Sequence, residues 1–339
     1  MSDWIRAALP GHPPIGPPIQ KLGGSNGGFI ARLTASRPGA ADVIFKTNHL
    51  PQFRSSARLA AALSRHCPGD VPHILAWREL LGRADTLFRP FSGEEVTAKG
   101  SLQALCEMAR TLARVQARVA ALPAHEIAGL PRLPLETVPG LLDKLIADIE
   151  TRYWTRFEAD DGALMTRFAL PEDLLARLRR FRPKLDEWAA ELAAGGWPES
   201  VDHVDFLPHN AVALPDGHVS LYDWEQAVIS CPFFSLDVLL AFAQDYALNF
   251  AEGLEILAER DTEGTAALRS AYLDALPWKT RAAQERAFDL ALCLSPIRYA
   301  WAEGQLATQA GQEDWWAEDM AWWIMRALRR WERMPLAFA

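Results

Sequence analysis

Hydrophobic residues recur at two different spacings along the chain. Up to residue 92 they form short runs of strand length between turns that contain glycine or proline. From residue 102 they recur every three or four positions, the spacing of a buried helical face, as at Leu102, Leu105, Met108, Leu112, Val115 and Val119. The pattern predicts an α+β protein with a small β-rich part, residues 1–92, and a larger, mainly helical part, residues 93–339.

The apolar runs also predict the order of the elements. After a proline-rich lead-in at residues 10–18, the first part is expected to contain one helix within residues 53–69 and five strands, at residues 19–22, 29–33, 42–46, 71–77 and 86–93. In the second part, prolines interrupt residues 123–140. Two helices are then expected, at about residues 141–157 and 171–194.

A short hairpin is predicted at residues 211–222. Its two strand-like runs flank the turn 215–218, in which a proline sets φ and a glycine accepts a positive φ. Because the second strand returns the chain to the start of the first, Asn210 and Asp223 are expected to be neighbours. Asp205 lies on the loop just before them. Three oxygen-bearing side chains therefore converge on one point.

These three side chains suit a phosphoryl-transfer centre. A hydroxyl that attacks a nucleotide phosphate needs a carboxylate to orient it and take its proton, which is a role for Asp205. Magnesium prefers oxygen ligands from one or two carboxylates or amides, which suits Asn210 and Asp223. A second interpretation uses His203 and His209 with the two carboxylates as a zinc or iron site. That interpretation leaves Asn210 and the hairpin unexplained.

The order His203, Asp205 and Asn210, then a hairpin and an Asp-Trp-Glu run at 223–225, resembles the aminoglycoside phosphotransferase and choline kinase family. Residues 231–237, with a proline, two phenylalanines and a Leu-Asp pair, extend the resemblance. It implies a two-lobed, protein-kinase-like fold with a small β-rich N-lobe and a large helical C-lobe. It also implies Asp205 as catalytic base, Asn210 and the first aspartate of the run, Asp223, as magnesium ligands, and His203 as a residue that holds the catalytic loop.

The resemblance further implies ATP or GTP as the phosphate donor and a small-molecule hydroxyl as the acceptor, with an amine-bearing metabolite or antibiotic as the leading class. The glycine-rich turn between the first two strands brings backbone N–H groups close to phosphate oxygens, and it contains Gly24, Ser25, Asn26 and Gly27. Lys46, at the end of the third strand, is placed as the lysine that contacts the α- and β-phosphates. Backbone groups from Arg89 to Phe91 would hold the adenine edge.

One feature departs from the family's pattern. Most relatives pair the phosphate-binding lysine with a glutamate on the next helix, but residues 53–69 contain no acid before Asp70. Either a carboxylate from another element substitutes, or phosphate alone orients Lys46. In both cases we expect the Lys46 side chain to be poorly ordered before nucleotide binds. The missing acid also favours an alternative outside enzymes, a non-catalytic nucleotide-binding scaffold.

The amino-acid composition bears on where the protein acts and on the kind of acceptor it takes. Half of the 339 residues are hydrophobic, and no run suggests a signal peptide or a membrane-spanning helix. The four cysteines have no paired spacing, which favours a reducing cytoplasm over a disulfide or zinc framework.

The charges are distributed unevenly between the two halves of the chain. Residues 183–339 contain 25 Asp and Glu against 11 Lys and Arg, whereas residues 1–182 contain 18 against 24. The acidic half disfavours nucleic acid and favours a cationic acceptor. A peptide Ser or Thr acceptor is the alternative within kinases.

Overall fold

The strands of this protein lie in three sheets. The computed structural model describes residues 2–10, 15–23, 28–35, 41–50, 53, 55–90, 92–96, 101–241, 263–311 and 313–333. The first sheet has the order β1-β2-β3-β5-β4 and is antiparallel throughout. Its strands are β1 (Ile15–Gly23), β2 (Gly28–Ala35), β3 (Val43–Asn48), β4 (Ile74–Leu80) and β5 (Arg83–Phe88). The others are β6 (Glu94–Glu95) with β8 (Ala211–Ala213) and β9 (Val219–Leu221), and β7 (Ser200–Asp202) with β10 (Val228–Ser230).

Side-chain alternation gives the first sheet two different faces. Successive residues of a strand point to opposite faces. One face forms an apolar core with helix α1 (Ser2–Ala8), built from Ile5, Ala31, Leu33, Val43, Phe45 and Leu87. The intervening residues, which line a cavity, include Ile30, Arg32, Ile44, Lys46, Thr86 and Phe88. The period-two pattern thus places Lys46 on the cavity face, opposite the core.

Strand β1 begins earlier than the sequence pattern predicts. Residues 10–18 were expected as a lead-in before the sheet, but β1 starts at Ile15 and includes Pro17 and Pro18. Proline lacks the N–H that a central strand needs, so it is confined to edge strands and bulges. Here β1 is the edge strand, and its register with β2 shifts between Ile15 and Ile19. Both conditions for proline in a sheet are therefore met.

The helices follow the predicted periodicity closely. In the described residues they are α2 (Ser56–His66), α3 (Leu102–Ala120), α4 (Ala124–Ile127), α5 (Val138–Asp148), α6 (Trp154–Arg167), α7 (Leu174–Ala194), α8 (Glu263–Ala275), α9 (Arg281–Ala310) and α10 (Glu313–Arg333). A π-turn, Ile149–Tyr153, joins α5 to α6, so the helix predicted to end near residue 157 continues to Arg167. None of the helices in the described part of the chain is both long and apolar enough to cross a bilayer.

A buried carboxylate ties the β8–β9 hairpin to α3. The side chain of Asp70, only 3% exposed, pairs with Arg114 and Arg118 of α3 and lies 3.0 Å from the ring of His218. Its backbone oxygen accepts the N–H of Leu221 at 2.8 Å. Asp70 thus contacts α3 and both ends of the hairpin's second strand, and these contacts fix the position of the hairpin relative to the helix. Asn210 and Asp223 directly precede and follow this hairpin.

The chain divides into two compact units that do not follow its linear order. The first contains residues 1–131 and 205–228, and the second contains residues 132–204 and 229–339. Helix α3 and the hairpin therefore group with the first sheet, because Asp70 and its partners hold them there. The borders of these compact units differ from the boundary that the sequence predicted between residues 92 and 93. The division into two lobes at that boundary stays a prediction.

Two buried aspartates organise the second unit. Asp202 accepts Arg298 Nε at 2.8 Å and Ser235 Oγ at 2.9 Å. Asp237 accepts both terminal nitrogens of Arg330, and its side chain is fully buried. Burial alone would raise the pKa of Asp237, but the positive charge of Arg330 outweighs it and holds the pKa below its usual value. These pairs connect the residues around 202 and 237 to α9 and α10.

Candidate active site

Lys46 lies between two carboxylates that follow the hairpin. Its Nζ is 2.8 Å from Asp223 Oδ1 and 2.8 Å from Glu225 Oε1. The second oxygen of Glu225 accepts a hydrogen bond from Asn48 Nδ2 at 2.9 Å. Asn48 and Lys46 are two residues apart on β3, so both side chains reach the same face of the sheet. Of the two alternatives that the sequence left open, the structure contains a carboxylate from another element. The poor order of the Lys46 side chain before nucleotide binds stays a prediction.

The charges of this cluster do not cancel. Burial lowers the pKa of Lys46, but Asp223 and Glu225 outweigh that effect and hold the pKa above its usual value. Burial, together with the charge of Asp223, raises the pKa of Glu225 to about 7. When both carboxylates are ionised, which the raised pKa of Glu225 disfavours near pH 7, they carry one negative charge more than Lys46 neutralises. A divalent cation beside Asp223 would stabilise the ionised form of both, which fits a magnesium ion.

Asp205 and Asn210 are joined directly. Asn210 Nδ2 donates to the backbone oxygen of Asp205 at 2.8 Å and to its Oδ2 at 2.9 Å. Asn210 is 3% exposed and ends a short 3-10 turn, Pro208–Asn210, whose last N–H donates to Leu207 O. The amide therefore holds the Asp205 side chain in one orientation relative to the loop.

The hairpin brings the predicted metal ligands to one end, as its turn chemistry implied. Gly217 has a φ of +84°, and Leu214 and His218 close the turn by a backbone hydrogen bond of 2.8 Å. At the open end, the N–H of Tyr222 donates to Asn210 O at 3.0 Å. Asp223 follows with a left-handed φ of 64°. An amide oxygen and a carboxylate are hard donors of the kind that magnesium prefers, so Asn210 and Asp223 would suit this ion.

A cavity of about 410 Å³ adjoins the ion pair of Lys46 within the first unit. This volume is in the range of small-ligand pockets, roughly 300–1,000 Å³. Both apolar and charged side chains line it. The apolar lining includes Ile30, Ile44, Ala60, Val71, Ile74 and Phe88, and the charged lining residues are Arg32, Lys46, Glu95, Asp223 and Glu225. The arrangement suits a flat apolar ring with a charged tail.

The other predicted site residues have different outcomes. Gly24, Ser25, Asn26, Gly27 and Phe91 lie outside the described residues, although β1 and β2 do end on either side of the glycine-rich turn. The neighbours of Arg89 on each side, Phe88 and Pro90, line the cavity. The N–H of Arg89 itself donates to His73 O at 3.1 Å, so this donor is already used within the protein.

His203 belongs to the second unit, where it is completely buried. Its N–H donates to Ser235 Oγ at 2.9 Å, and Ser235 in turn donates to Asp202. The next residue, Val204, has a φ of 70°, which is strained for a β-branched side chain. Asp202 stabilises this conformation by accepting the N–H of Val204 at 3.2 Å. Strain of this kind, immediately before Asp205, is typical of a functional loop.

His209 does not favour a transition-metal centre. It is exposed, and its backbone oxygen accepts the hydroxyl of Tyr222. Among the residues that the structure describes, no three His, Cys, Asp or Glu side chains are grouped as ligands of one ion. The zinc or iron interpretation therefore has no support in the described part of the chain.

Glu225 is the site residue to which the sequence assigned no role. Two signals were available: the Asp-x-Glu spacing after the hairpin, and the missing acid on α2. Neither signal alone tells which carboxylate reaches Lys46, because the contact joins residues that are far apart in the chain. The acid is still missing from α2, but Lys46 has carboxylate partners from another element, so its absence no longer argues for a non-catalytic scaffold.

Comparison with known proteins agrees with this geometry. A family model described as the phosphotransferase enzyme family matches residues 23–269, more than half of the chain. The chain belongs to this phosphotransferase family. A comparison with curated protein sequences found no relative of this phosphotransferase.

Solved structures similar to this phosphotransferase share its fold at low sequence identity. A choline kinase from Cryptosporidium parvum aligns with a TM-score of 0.61 and 14% identity, over 97% of this chain and 94% of that one. An ethanolamine kinase from Plasmodium vivax aligns with a TM-score of 0.59 and 11% identity, over 92% and 81%. A spectinomycin phosphotransferase aligns with a TM-score of 0.54 and 9% identity, over 98% and 99%. The small antiparallel sheet and larger helical part are thus those of the choline kinase and antibiotic phosphotransferase fold.

Proposed function

We propose that this phosphotransferase is a magnesium-dependent kinase that moves the γ-phosphate of ATP or GTP to a hydroxyl of a small molecule. The observation that carries the proposal is the ion pair in the cavity lining, where Lys46 Nζ lies 2.8 Å from Asp223 Oδ1. The apolar residues of the same lining suit a nucleotide base. The spectinomycin phosphotransferase of the same fold is described in complex with ADP, which supports a nucleotide as donor.

Each side chain has a separate part in this reaction. Lys46 would neutralise donor phosphate oxygens, and Asn210 and Asp223 would hold magnesium, which supplies charge neutralisation at the phosphates when bound. Asp205, oriented by Asn210, would accept the proton of the acceptor hydroxyl as its oxygen bonds to phosphorus. The bond from the γ-phosphorus to the bridging oxygen breaks, and the nucleoside diphosphate leaves with that electron pair.

An amine-bearing acceptor is the leading substrate class. The excess of 25 acidic over 11 basic residues in positions 183–339 would attract a cation. Two of the similar structures are named for choline and ethanolamine, and a third is described with spectinomycin. Under this proposal the protein acts in the cytoplasm on a small molecule, and it binds neither nucleic acid nor a membrane.

A library experiment tests the proposal. Purified protein with ATP or GTP and magnesium is screened against hydroxyl-bearing amines, aminoglycosides, macrolides and, as a contrast, Ser- and Thr-containing peptides. We expect nucleotide turnover that requires magnesium and a small-molecule acceptor. Asp205→Ala should lower it by roughly two to four orders of magnitude. Phosphorylation of peptides alone would replace the acceptor class, and nucleotide binding without turnover by any acceptor would contradict the kinase assignment.

A further inference from the structure

Helix α2 offers Lys46 no acidic partner. Its sequence contains no acidic residue, and the two of its positions that line the cavity are Ser56 and Ala60, one turn apart on the same face. A lysine with four rotatable bonds loses much rotamer entropy when it is held, so a fixed partner is needed to aim it before phosphate arrives. This chain must supply that partner from another element.

Glu225 has the contacts of such a fixed partner. One of its oxygens is 2.8 Å from Lys46 Nζ, and the other accepts Asn48 Nδ2 at 2.9 Å. Both donors extend from β3, so the carboxylate is clamped against the strand that carries the lysine. Its own backbone belongs to a 3-10 turn that is anchored by the buried Trp224, whose Nε1 donates to Leu221 O at 3.0 Å. Both ends of the Glu225 side chain are therefore held.

Asp223 cannot serve Lys46 and a metal ion equally. Under the proposed function its carboxylate is a magnesium ligand, and a bound dication competes with the lysine for it. Glu225 has no second task in the described contacts beyond Lys46 and Asn48. It is thus the carboxylate that remains with the lysine while Asp223 serves the metal.

We propose that Glu225 is the positioning residue of Lys46 and takes the place of the acid that α2 lacks. The proposal rests on the proposed function, because Lys46 must be the residue that binds nucleotide phosphate. Glu225 touches neither phosphate nor acceptor in this assignment, and it acts through the lysine. It differs from a second metal ligand, which would act through magnesium.

A double-mutant cycle on ADP affinity separates these two roles. Glu225→Gln, Lys46→Met and the double variant are measured by calorimetry, in excess chelator and in excess magnesium. We expect Glu225→Gln to weaken ADP binding about 10- to 100-fold, the usual effect of removing a group that orients a binding residue. The factor should be the same with and without magnesium, and the double variant should bind no more weakly than Lys46→Met alone.

A restored helix acid provides the rescue. Ala60→Glu places a carboxylate on α2 at a position that lines the same cavity as Lys46. When Ala60→Glu is added to Glu225→Gln, we expect ADP affinity and kcat/KM to rise at least tenfold above those of Glu225→Gln alone. No such rise is expected when Lys46 is also replaced by Met. Glu79→Gln is the matched control, because Glu79 of β4 also pairs with a cation, Arg58 of α2, at 2.6 Å and away from the cavity lining. It should stay within about twofold of wild type, as expected for surface pairs.

The possible results separate the positioning role of Glu225 from the proposed kinase function on which it rests. Losses that add in the double variant, or a loss confined to the magnesium-containing arm, would overturn the positioning role and leave the kinase assignment intact. Wild-type protein that neither binds ADP nor turns over nucleotide would overturn the proposed function itself. Folding of each variant is checked by its melting temperature, so an unfolded variant is not counted as a loss of binding.

Discussion

The exchange Asn210→Asp tests whether the amide of Asn210 matters mainly as a metal ligand or as a hydrogen-bond donor. From the sequence alone, the variant is expected to keep some activity, because it keeps an oxygen ligand for magnesium. The structure changes that expectation, since the amide nitrogen donates to the Asp205 carboxylate at 2.9 Å. An introduced carboxylate would replace this donor by a like charge. We therefore predict lower turnover for Asn210→Asp than for Asn210→Ala.

The magnitude follows from the distance. Asn210→Ala removes a hydrogen bond to a charged acceptor, which contributes about 1.5–3 kcal/mol. Asn210→Asp loses the same bond and adds a repulsion that, at 2.9 Å and an effective dielectric constant of about 20, amounts to about 6 kcal/mol before the groups move apart. If relaxation and magnesium remove three quarters of it, about 1.4 kcal/mol remains. That remainder lowers the rate about tenfold further.

The assay is nucleotide turnover at saturating magnesium and acceptor, with ADP affinity and melting temperature measured for each variant. We expect Asn210→Ala to lose about 10- to 150-fold and Asn210→Asp at least tenfold more. Turnover of Asn210→Asp above that of Asn210→Ala would refute the reasoning. It would mean that the oxygen ligand outweighs the contact with Asp205.

Three further predictions concern single carboxylates. Asp205→Ala should lower turnover by roughly two to four orders of magnitude with ADP affinity nearly intact, and near wild-type turnover would exclude it as the base. Asp223→Ala should abolish the magnesium dependence of ADP affinity in calorimetry, whereas a wild type that binds equally with and without magnesium would contradict the metal site. Asp237 has a lowered pKa, so its stabilising contribution is present above its unfolded value of about 3.9 and is lost as pH falls below it. Asp237→Asn should therefore lower the melting temperature at pH 7, and the difference from wild type should shrink below pH 4; a constant difference would disprove the linkage.

Local sequence rules predicted the parts of the site that local geometry decides. The hairpin follows from a proline and a glycine in one turn, and its closure makes Asn210 and Asp223 neighbours without further information. The apolar run at residues 42–46 predicted the strand that carries Lys46, and three- and four-residue spacing predicted α3. Each of these inferences depends on residues that are close together in the chain.

Long-range pairing decided what the sequence left open. Lys46 and Asp223 are 177 positions apart, so the spacing of either residue says nothing about their contact. The same holds for β1, whose prolines argue against a strand until its place at the edge of the sheet is known. The π-turn at Ile149–Tyr153 contains neither glycine nor proline, so no breaker residue marks it in the sequence.

The discontinuity of the first compact unit has a consequence for how the protein is made. Residues 205–228, which contain Asp205, Asn210, Asp223 and Glu225, belong with residues 1–131, but 73 residues of the other unit lie between them. A nascent chain emerges from the ribosome at about 5–20 residues per second, so the first sheet is synthesised seconds before the hairpin that completes it. During that interval Lys46 and Asp70 lack their hairpin partners. Chaperones and proteases therefore encounter an incomplete first unit, and substitutions in the hairpin should reduce the yield of folded protein as well as its activity.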